Sequence, residues 1–251
     1  MIEIFGIHLS QLPDRRQIIS RLDDRLYIPW REVHKHIRDD RAAKASLAGA
    51  LLLQLYAPVG KLAYDEAGRP YLEGYDLDLS ITHTEQSVFC ALERRHAVAA
   101  EQTNLLALAK SLPYPKQSVS PSERKSLFMG KPRVGVDAEE ISRISHVRIC
   151  PMANRWFSRC EYDFFQTAPT DLTFLRVWTR KEALIKWTGE GLRALRAADT
   201  VTAEDRYGVR FSEYMVDDIV VTLCCHADSQ PPKQIQMVSN SQLLDMGFSL
   251  S

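Results

Sequence analysis

Apolar residues along this chain recur with two different periods, and the changes of period mark its elements. In residues 39–56, DDRAAKASLAGALLLQLY, the row Leu47, Leu51 and Leu55 has the spacing of a helix. Asp39 and Asp40 suit its N-terminal end, where carboxylates meet the positive pole of the helix. In LDLSITH, residues 77–83, Leu77, Leu79 and Ile81 alternate with polar residues and predict a half-buried strand ending near His83. SVFCAL, residues 87–92, predicts the strand that returns after a turn at 84–86. GRPY at 68–71 is a turn signal. The opening MIEIFGIHLSQLPDRRQ reads as a short strand; Glu3 and the lack of an apolar core argue against a signal peptide.

Residues 93–133 lose this regularity. SLPYPKQSVSPSERK is rich in Pro, Ser and charge and predicts a linker or exposed insertion, with a short helix ahead of it in AAEQTNLLALAK. Pattern returns with a strand in RVGVDAEEI, a helix start in FSRCEYDFF, a long helix over 171–188 and a strand in DDIVVTLCCHA. Helices and strands mix on both sides of the break. The reading is an α+β protein in two halves, 1–92 and 134–251, joined by 93–133.

Composition narrows the function classes. A chain of 251 residues with 45% hydrophobic and 25% charged residues can bury a sizeable core. Lys+Arg and Asp+Glu are both 32, so bulk charge points to neither nucleic acid nor an anionic membrane, and recognition must be local. No apolar run is long enough to span a bilayer. Five cysteines, Cys90, Cys150, Cys160, Cys224 and Cys225, show no CxxC spacing. They speak against a disulfide framework or zinc site and for a reducing, cytoplasmic setting.

The helix VWTRKEALIKWTGEGL, residues 177–192, brings in the chemistry. Leu175, Trp178 and Ile185 form one apolar stripe, and Glu182 and Lys186 fall on the same stripe. An i,i+4 ion pair between them is one account, although it does not explain why both turn inward before Gly189 and Gly191. In VGVDAEE, Asp137 and Glu139 share one strand face while Val134, Val136 and Ala138 share the other. Two adjacent carboxylates repel unless a cation or proton lies between them. Either this is a solvated acidic edge or it binds a hard divalent cation such as Mg²⁺.

Arg41 and Lys44, three apart at a helix start, form either a phosphate seat or a solvated patch paired with Asp39 and Asp40. His83, between Thr82 and Thr84, either hydrogen-bonds a phosphate oxygen or closes a turn. Ser158 and Glu161 fit a capping box, a structural role for the serine that leaves Glu161 open to supporting the site from behind.

The order of these pieces resembles the Sfp-type 4′-phosphopantetheinyl transferases, the larger, internally duplicated class. Three stretches carry the resemblance: Gly135-Val136-Asp137-Ala138-Glu139, Phe157-Ser158-Arg159-Cys160-Glu161, and Trp178-Thr179-Arg180-Lys181-Glu182-Ala183 through Lys186, Gly189, Gly191 and Leu192. GRPYL, LSITHT and RAAKASLAGALLL are similar to the upstream motifs of the family. The resemblance runs from Arg41 to Leu192 and is interrupted by 93–133, where the family has a short connection; Thr82 replaces its usual Ser.

The resemblance implies two similar α+β halves related by a pseudo-twofold, with coenzyme A in the cleft between them. It implies transfer of the 4′-phosphopantetheine arm to a serine of an apo carrier protein, leaving 3′,5′-ADP. Asp137, Glu139 and Glu182 would bind Mg²⁺, and Lys186 would reach the pyrophosphate. Glu182, directly or through water, would take the serine proton. Arg41, helped by Lys44, would bind the 3′-phosphate; Gly68, Arg69 and Pro70 would lie by the adenine or ribose; Thr82 and His83 would meet a phosphate. The expected state is a monomer without nucleic-acid or membrane partners.

Two other classes remain. A metal-dependent nuclease also clusters Asp, Glu and Lys, but it favours Glu-x-Lys on a strand and a basic footprint. A coenzyme A or carrier-protein binder without catalysis would not need all three carboxylates and the lysine.

Overall fold

The computed structural model describes residues 1–57, 60–65, 68–94, 133–144 and 146–248. The predicted insertion and the helix predicted in AAEQTNLLALAK lie outside the described residues, except for Glu93, Arg94 and Arg133.

The first half opens with β1 (Ile2–His8), then α1 (Arg15–Ile19), α2 (Asp24–His34) and α3 (Asp40–Tyr56). Asp39 caps α3 by accepting from the Ala42 N–H at 2.7 Å, so the helix begins where its first carboxylates predicted. A small hairpin follows, β2 (Lys61–Tyr64) and β3 (Pro70–Glu73). The turn predicted at GRPY is made by Gly68, whose φ of 81° favours glycine, and it ends sooner, because Pro70 and Tyr71 already belong to β3. The strands β4 (Leu77–His83) and β5 (Ser87–Arg94) form the predicted antiparallel pair, with β5 running two residues past the predicted boundary at 92.

The second half begins with β6 (Val134–Glu140). It continues through α4 (His146–Trp156), α5 (Arg159–Thr167), α6 (Asp171–Thr188) and α7 (Ala203–Tyr207). It ends with β7 (Val209–Val216), β8 (Ile219–His226), β9 (Gln236–Met237) and α8 (Asn240–Asp245). One sheet has the order β4-β5-β1-β9 and another the order β6-β8-β7. The same plan therefore recurs. A strand (β1 or β6) precedes a long helix (α3 or α6) and an antiparallel pair (β4–β5 or β7–β8), and the last strand pairs back onto the first.

The sheets share a core. Ile2 and Ile4 of β1, and Phe89 and Ala91 of β5, cluster with Val134, Val136 and Ala138 of β6 and with Ile219, Val221 and Leu223 of β8. The alternate residues of β5, Val88, Cys90 and Leu92, pack with the apolar row of α3. On β8, Cys224 packs with Ala183, Leu184 and Trp187 of α6. Both strands are buried on two faces, and so they read as unbroken apolar runs. The layers are α3, sheet, sheet, α6. All five cysteines are free thiols, three of them buried. Among the described residues no helix is long and apolar enough to cross a membrane.

Helix α6 and strand β6 approach each other closely at Gly135. A Cβ added at Gly135 would sit 2.0 Å from the Ala183 carbonyl oxygen and 2.7 Å from the Trp187 nitrogen. Both neighbours are helix backbone and cannot swing aside. Gly135→Ala must lift the helix or bend the strand, and should cost upwards of about 3 kcal/mol, the upper range for overpacking. Denaturant unfolding measures this; an unchanged midpoint would mean the two backbones do not touch here.

Candidate active site between strand β6 and helix α6

Because strand residues alternate, Gly135, Asp137 and Glu139 face α6 while their neighbours face the inter-sheet core. The glycine lets the helix lie close, and the carboxylates then meet Glu182 and Lys186. Asp137 is 3% exposed. Its Oδ1 accepts from Lys186 Nζ at 2.8 Å and from Thr82 Oγ1 at 3.1 Å. Its Oδ2 is buried and has no hydrogen-bond partner. Lys186 also donates to the Val136 carbonyl at 3.0 Å. It thus crosses to β6 instead of pairing along its own helix with Glu182.

Desolvation, and then the charge of Asp137, push both Glu139 and Glu182 up to about 7. Lys186 opposes the rise at both, joined by Arg143 at Glu139 and by the Trp178 side chain at Glu182. Trp178, Glu182 and Lys186 are half-buried, so the stripe that reads as a buried helix face is the wall of a cleft. Among the described residues no three His, Cys, Asp or Glu side chains form a ready-made metal site. The donor chemistry still fits a hard divalent cation: an orphaned Asp137 oxygen lies beside two carboxyls whose ionisation a cation would favour.

Glu182 and Lys186 line a cavity of about 250 Å³ with Gly68, Arg69, Pro70 and Ser80. The GxG after the helix belongs here too. Gly189 ends α6 at φ 74°, and its N–H bonds the Ile185 carbonyl at 2.8 Å. The Arg69 side chain is held by the protein itself. Its guanidinium is partly buried, donates to the Lys186 carbonyl at 2.5 Å and the Val134 carbonyl at 2.9 Å, and pairs with Asp78. Arg133 donates to the Trp187 and Thr188 carbonyls at 3.1 and 3.0 Å. Two cations therefore hold the negative end of α6.

Arg41 and Lys44 lie elsewhere, whereas Thr82 and His83 border the site. Arg41 and Lys44 line a separate cavity of about 500 Å³ with Asp40 and Glu85. Arg41 pairs with Glu85 at 3.4 Å, not with Asp39 or Asp40, and Arg143 meets the same carboxylate at 2.9 Å. Lys44 donates to the Leu12 carbonyl at 2.7 Å, and burial lowers its pKa. The Thr82 hydroxyl is spent on Asp137. His83 ends β4; desolvation and then the Lys186 ammonium lower its pKa, which places it within the field of the site.

The most buried charge of α6 escapes the periodicity. Lys181 and Glu161 are both 0% exposed and paired at 2.7 Å. Glu161 also accepts from Ser158 N at 2.7 Å and from Thr200 N and Oγ1 at 2.8 and 2.9 Å. The capping box is present, and Glu161 is a structural node tying α5 to α6. The Lys-Glu pair at 181–182 was the available signal, because adjacent helix residues face different ways.

A family model described as the 4′-phosphopantetheinyl transferase superfamily matches residues 133–236, the segment that carries Asp137, Glu139, Glu182 and Lys186. A comparison with curated proteins gives no match.

The carboxyls set a pH dependence. Folding raises Glu139 and Glu182 from an ordinary 4.5 to about 7, so the folded chain binds protons that the unfolded chain has released. Their contribution to stability is full below about pH 4.5 and is lost as pH rises through 7. In chelator, the melting temperature should fall between pH 5 and 8, and Glu182→Gln should flatten the slope. A melting temperature that rises over this interval, with the same slope in the variant, would refute the assignment.

Proposed function

We propose that the protein transfers the 4′-phosphopantetheine group of coenzyme A to a serine hydroxyl of an apo carrier protein, releasing 3′,5′-ADP. The observation that carries this reading is the buried, unpartnered Asp137 Oδ2 in the field of Glu139 and Glu182, with Glu182 and Lys186 lining a cavity shared with Gly68–Pro70. The superfamily match over 133–236 supports it. The recurring strand, helix and strand-pair plan supports two halves related by a pseudo-twofold, as in the larger, Sfp-type class, with one chain sufficient as a monomer. Free cysteines suit a cytoplasmic enzyme.

In this reading Asp137, Glu139 and Glu182 hold Mg²⁺, which when bound supplies charge neutralisation and orients the attacked phosphorus. The serine oxygen forms a new bond to the phosphorus of the pantetheine phosphate, and the bond from that phosphorus to the bridging oxygen of 3′,5′-ADP breaks. Glu182, directly or through a water, accepts the serine proton. Lys186, poised on Asp137, stabilises charge growing on the leaving phosphate. Gly68 and Pro70 border the nucleotide, with Arg69 bracing that wall from behind. Arg41 takes the 3′-phosphate in exchange for Glu85, with Lys44 lining the same cavity, and His83 hydrogen-bonds a phosphate oxygen.

Mass spectrometry of an apo carrier protein incubated with coenzyme A, Mg²⁺ and the full chain tests the reaction. The carrier should gain one phosphopantetheine. Asp137→Ala should abolish the gain, and Lys186→Met should slow it by about a hundredfold or more. Normal turnover in Asp137→Ala would remove the reading. A carrier that binds but never gains mass, across several carrier classes, would favour a coenzyme A or carrier-binding protein without activity.

Arg41→Ala should weaken coenzyme A much more than dephospho-coenzyme A. Losing a charge-assisted hydrogen bond costs on the order of 1.5–3 kcal/mol, and only coenzyme A carries the 3′-phosphate. Calorimetric titration of both ligands decides it; equal losses would place Arg41 away from that phosphate.

A further inference from the structure

The sheet edges formed by β4 and β6 meet through side chains. Asp78, Ser80 and Thr82 occupy alternate positions on β4, so all three point toward β6. Asp78 Oδ2 accepts from the Val134 N–H at 2.6 Å and Ser80 Oγ accepts from the Val136 N–H at 3.1 Å. These two rungs do for the β6 edge what a neighbouring strand would do. At the third rung the direction reverses. Thr82 Oγ1 donates to Asp137 Oδ1 at 3.1 Å.

That reversal matters for the carboxylate. Torsion about the carboxyl group of an aspartate is broad, so an unbraced carboxylate has no fixed plane, and a brace sets the direction in which its free oxygen points. Here Oδ1 receives two donors, Thr82 and Lys186, while Oδ2 receives none and is buried. Thr82 is itself a buried residue, 7% exposed. We propose that Thr82 is a positioning residue: it fixes the plane of the Asp137 carboxylate from the other half of the chain, so that the oxygen free of donors is held toward the divalent cation. This rests on the cation assignment made under Proposed function. It replaces the expectation that Thr82 contacts a phosphate of coenzyme A.

The test measures cation binding directly. Mn²⁺ is titrated into the full chain at saturating coenzyme A, and the free ion is followed by electron paramagnetic resonance. Wild type should bind one Mn²⁺ and Asp137→Asn should lose it. Thr82→Val, which keeps shape and removes the hydroxyl, should weaken Mn²⁺ by about tenfold or more, the usual effect of removing a group that orients a ligand. Thr82→Ser should stay near wild type. Should Thr82→Val not fold, Thr82→Ala carries the same expectation.

Melting temperature and metal-free coenzyme A affinity are read on the same preparations. Mn²⁺ affinity that is unchanged in the folded hydroxyl-free variant overturns the proposal, even if the melting temperature drops. So does a loss of coenzyme A affinity with Mn²⁺ binding intact, which would return Thr82 to a phosphate. If wild type takes no Mn²⁺, the cation reading and this inference both fail; if wild type binds and only the Thr82 effect is missing, this inference alone fails.

Discussion

The backbone contact of α6 with β6 at Gly135 is the constraint on which the site depends. No side chain intervenes there, since even a methyl would fall 2.0 Å from a helix carbonyl. Close seating brings Glu182 and Lys186 across from Asp137 and Glu139 and leaves too little water to solvate the carboxyls. Their raised pKa values follow from that proximity. The helix is held in place from three sides. Arg69 and Arg133 bind its last carbonyls, the buried Lys181–Glu161 pair ties it to α5, and Thr179 bonds Thr222 of β8 at 2.7 Å.

The same arrangement couples the halves of the chain. β6 lies at the edge of its sheet, and an edge strand with bare N–H groups would be costly to bury. The polar face of β4 supplies the acceptors. Its apolar face, with Leu79, packs toward α3. The ordinary alternation of a strand thus serves two neighbours, a helix on one side and a foreign strand edge on the other. Because the seam ends on Asp137, the first half of the chain contributes directly to a carboxylate of the second.

The legibility of this site differs from residue to residue. Asp137 and Glu139 were visible as two carboxylates side by side on one strand face, and Glu182 as a carboxylate on an apolar helix stripe. Lys186 was visible for the same reason, but its partner was not: an i,i+4 pair with Glu182 and a cross-element pair with Asp137 are the same sequence. For Arg69 the turn motif shows where the backbone goes and not that the guanidinium reaches the end of α6 and β6. Asp78 and Ser80 passed as the solvated face of a half-buried strand. Their burial depends on a strand more than fifty residues away, as the 56-residue separation of both hydrogen bonds shows.

By itself the sequence determined the local structure: the helix at Asp40–Tyr56, the β4–β5 pair, the carboxylate face of β6, and the long helix closed by Gly189. Such features arise from period, capping and backbone freedom within a few residues, so they are written where they occur. Only the tertiary structure decided that one oxygen of Asp137 is bare, that Lys186 and Thr82 converge on the other, and that Lys181 is buried against Glu161. Those outcomes depend on distances between elements far apart in the chain. They are settled by a glycine-sized contact and by the desolvation it imposes, and neither has a period to read.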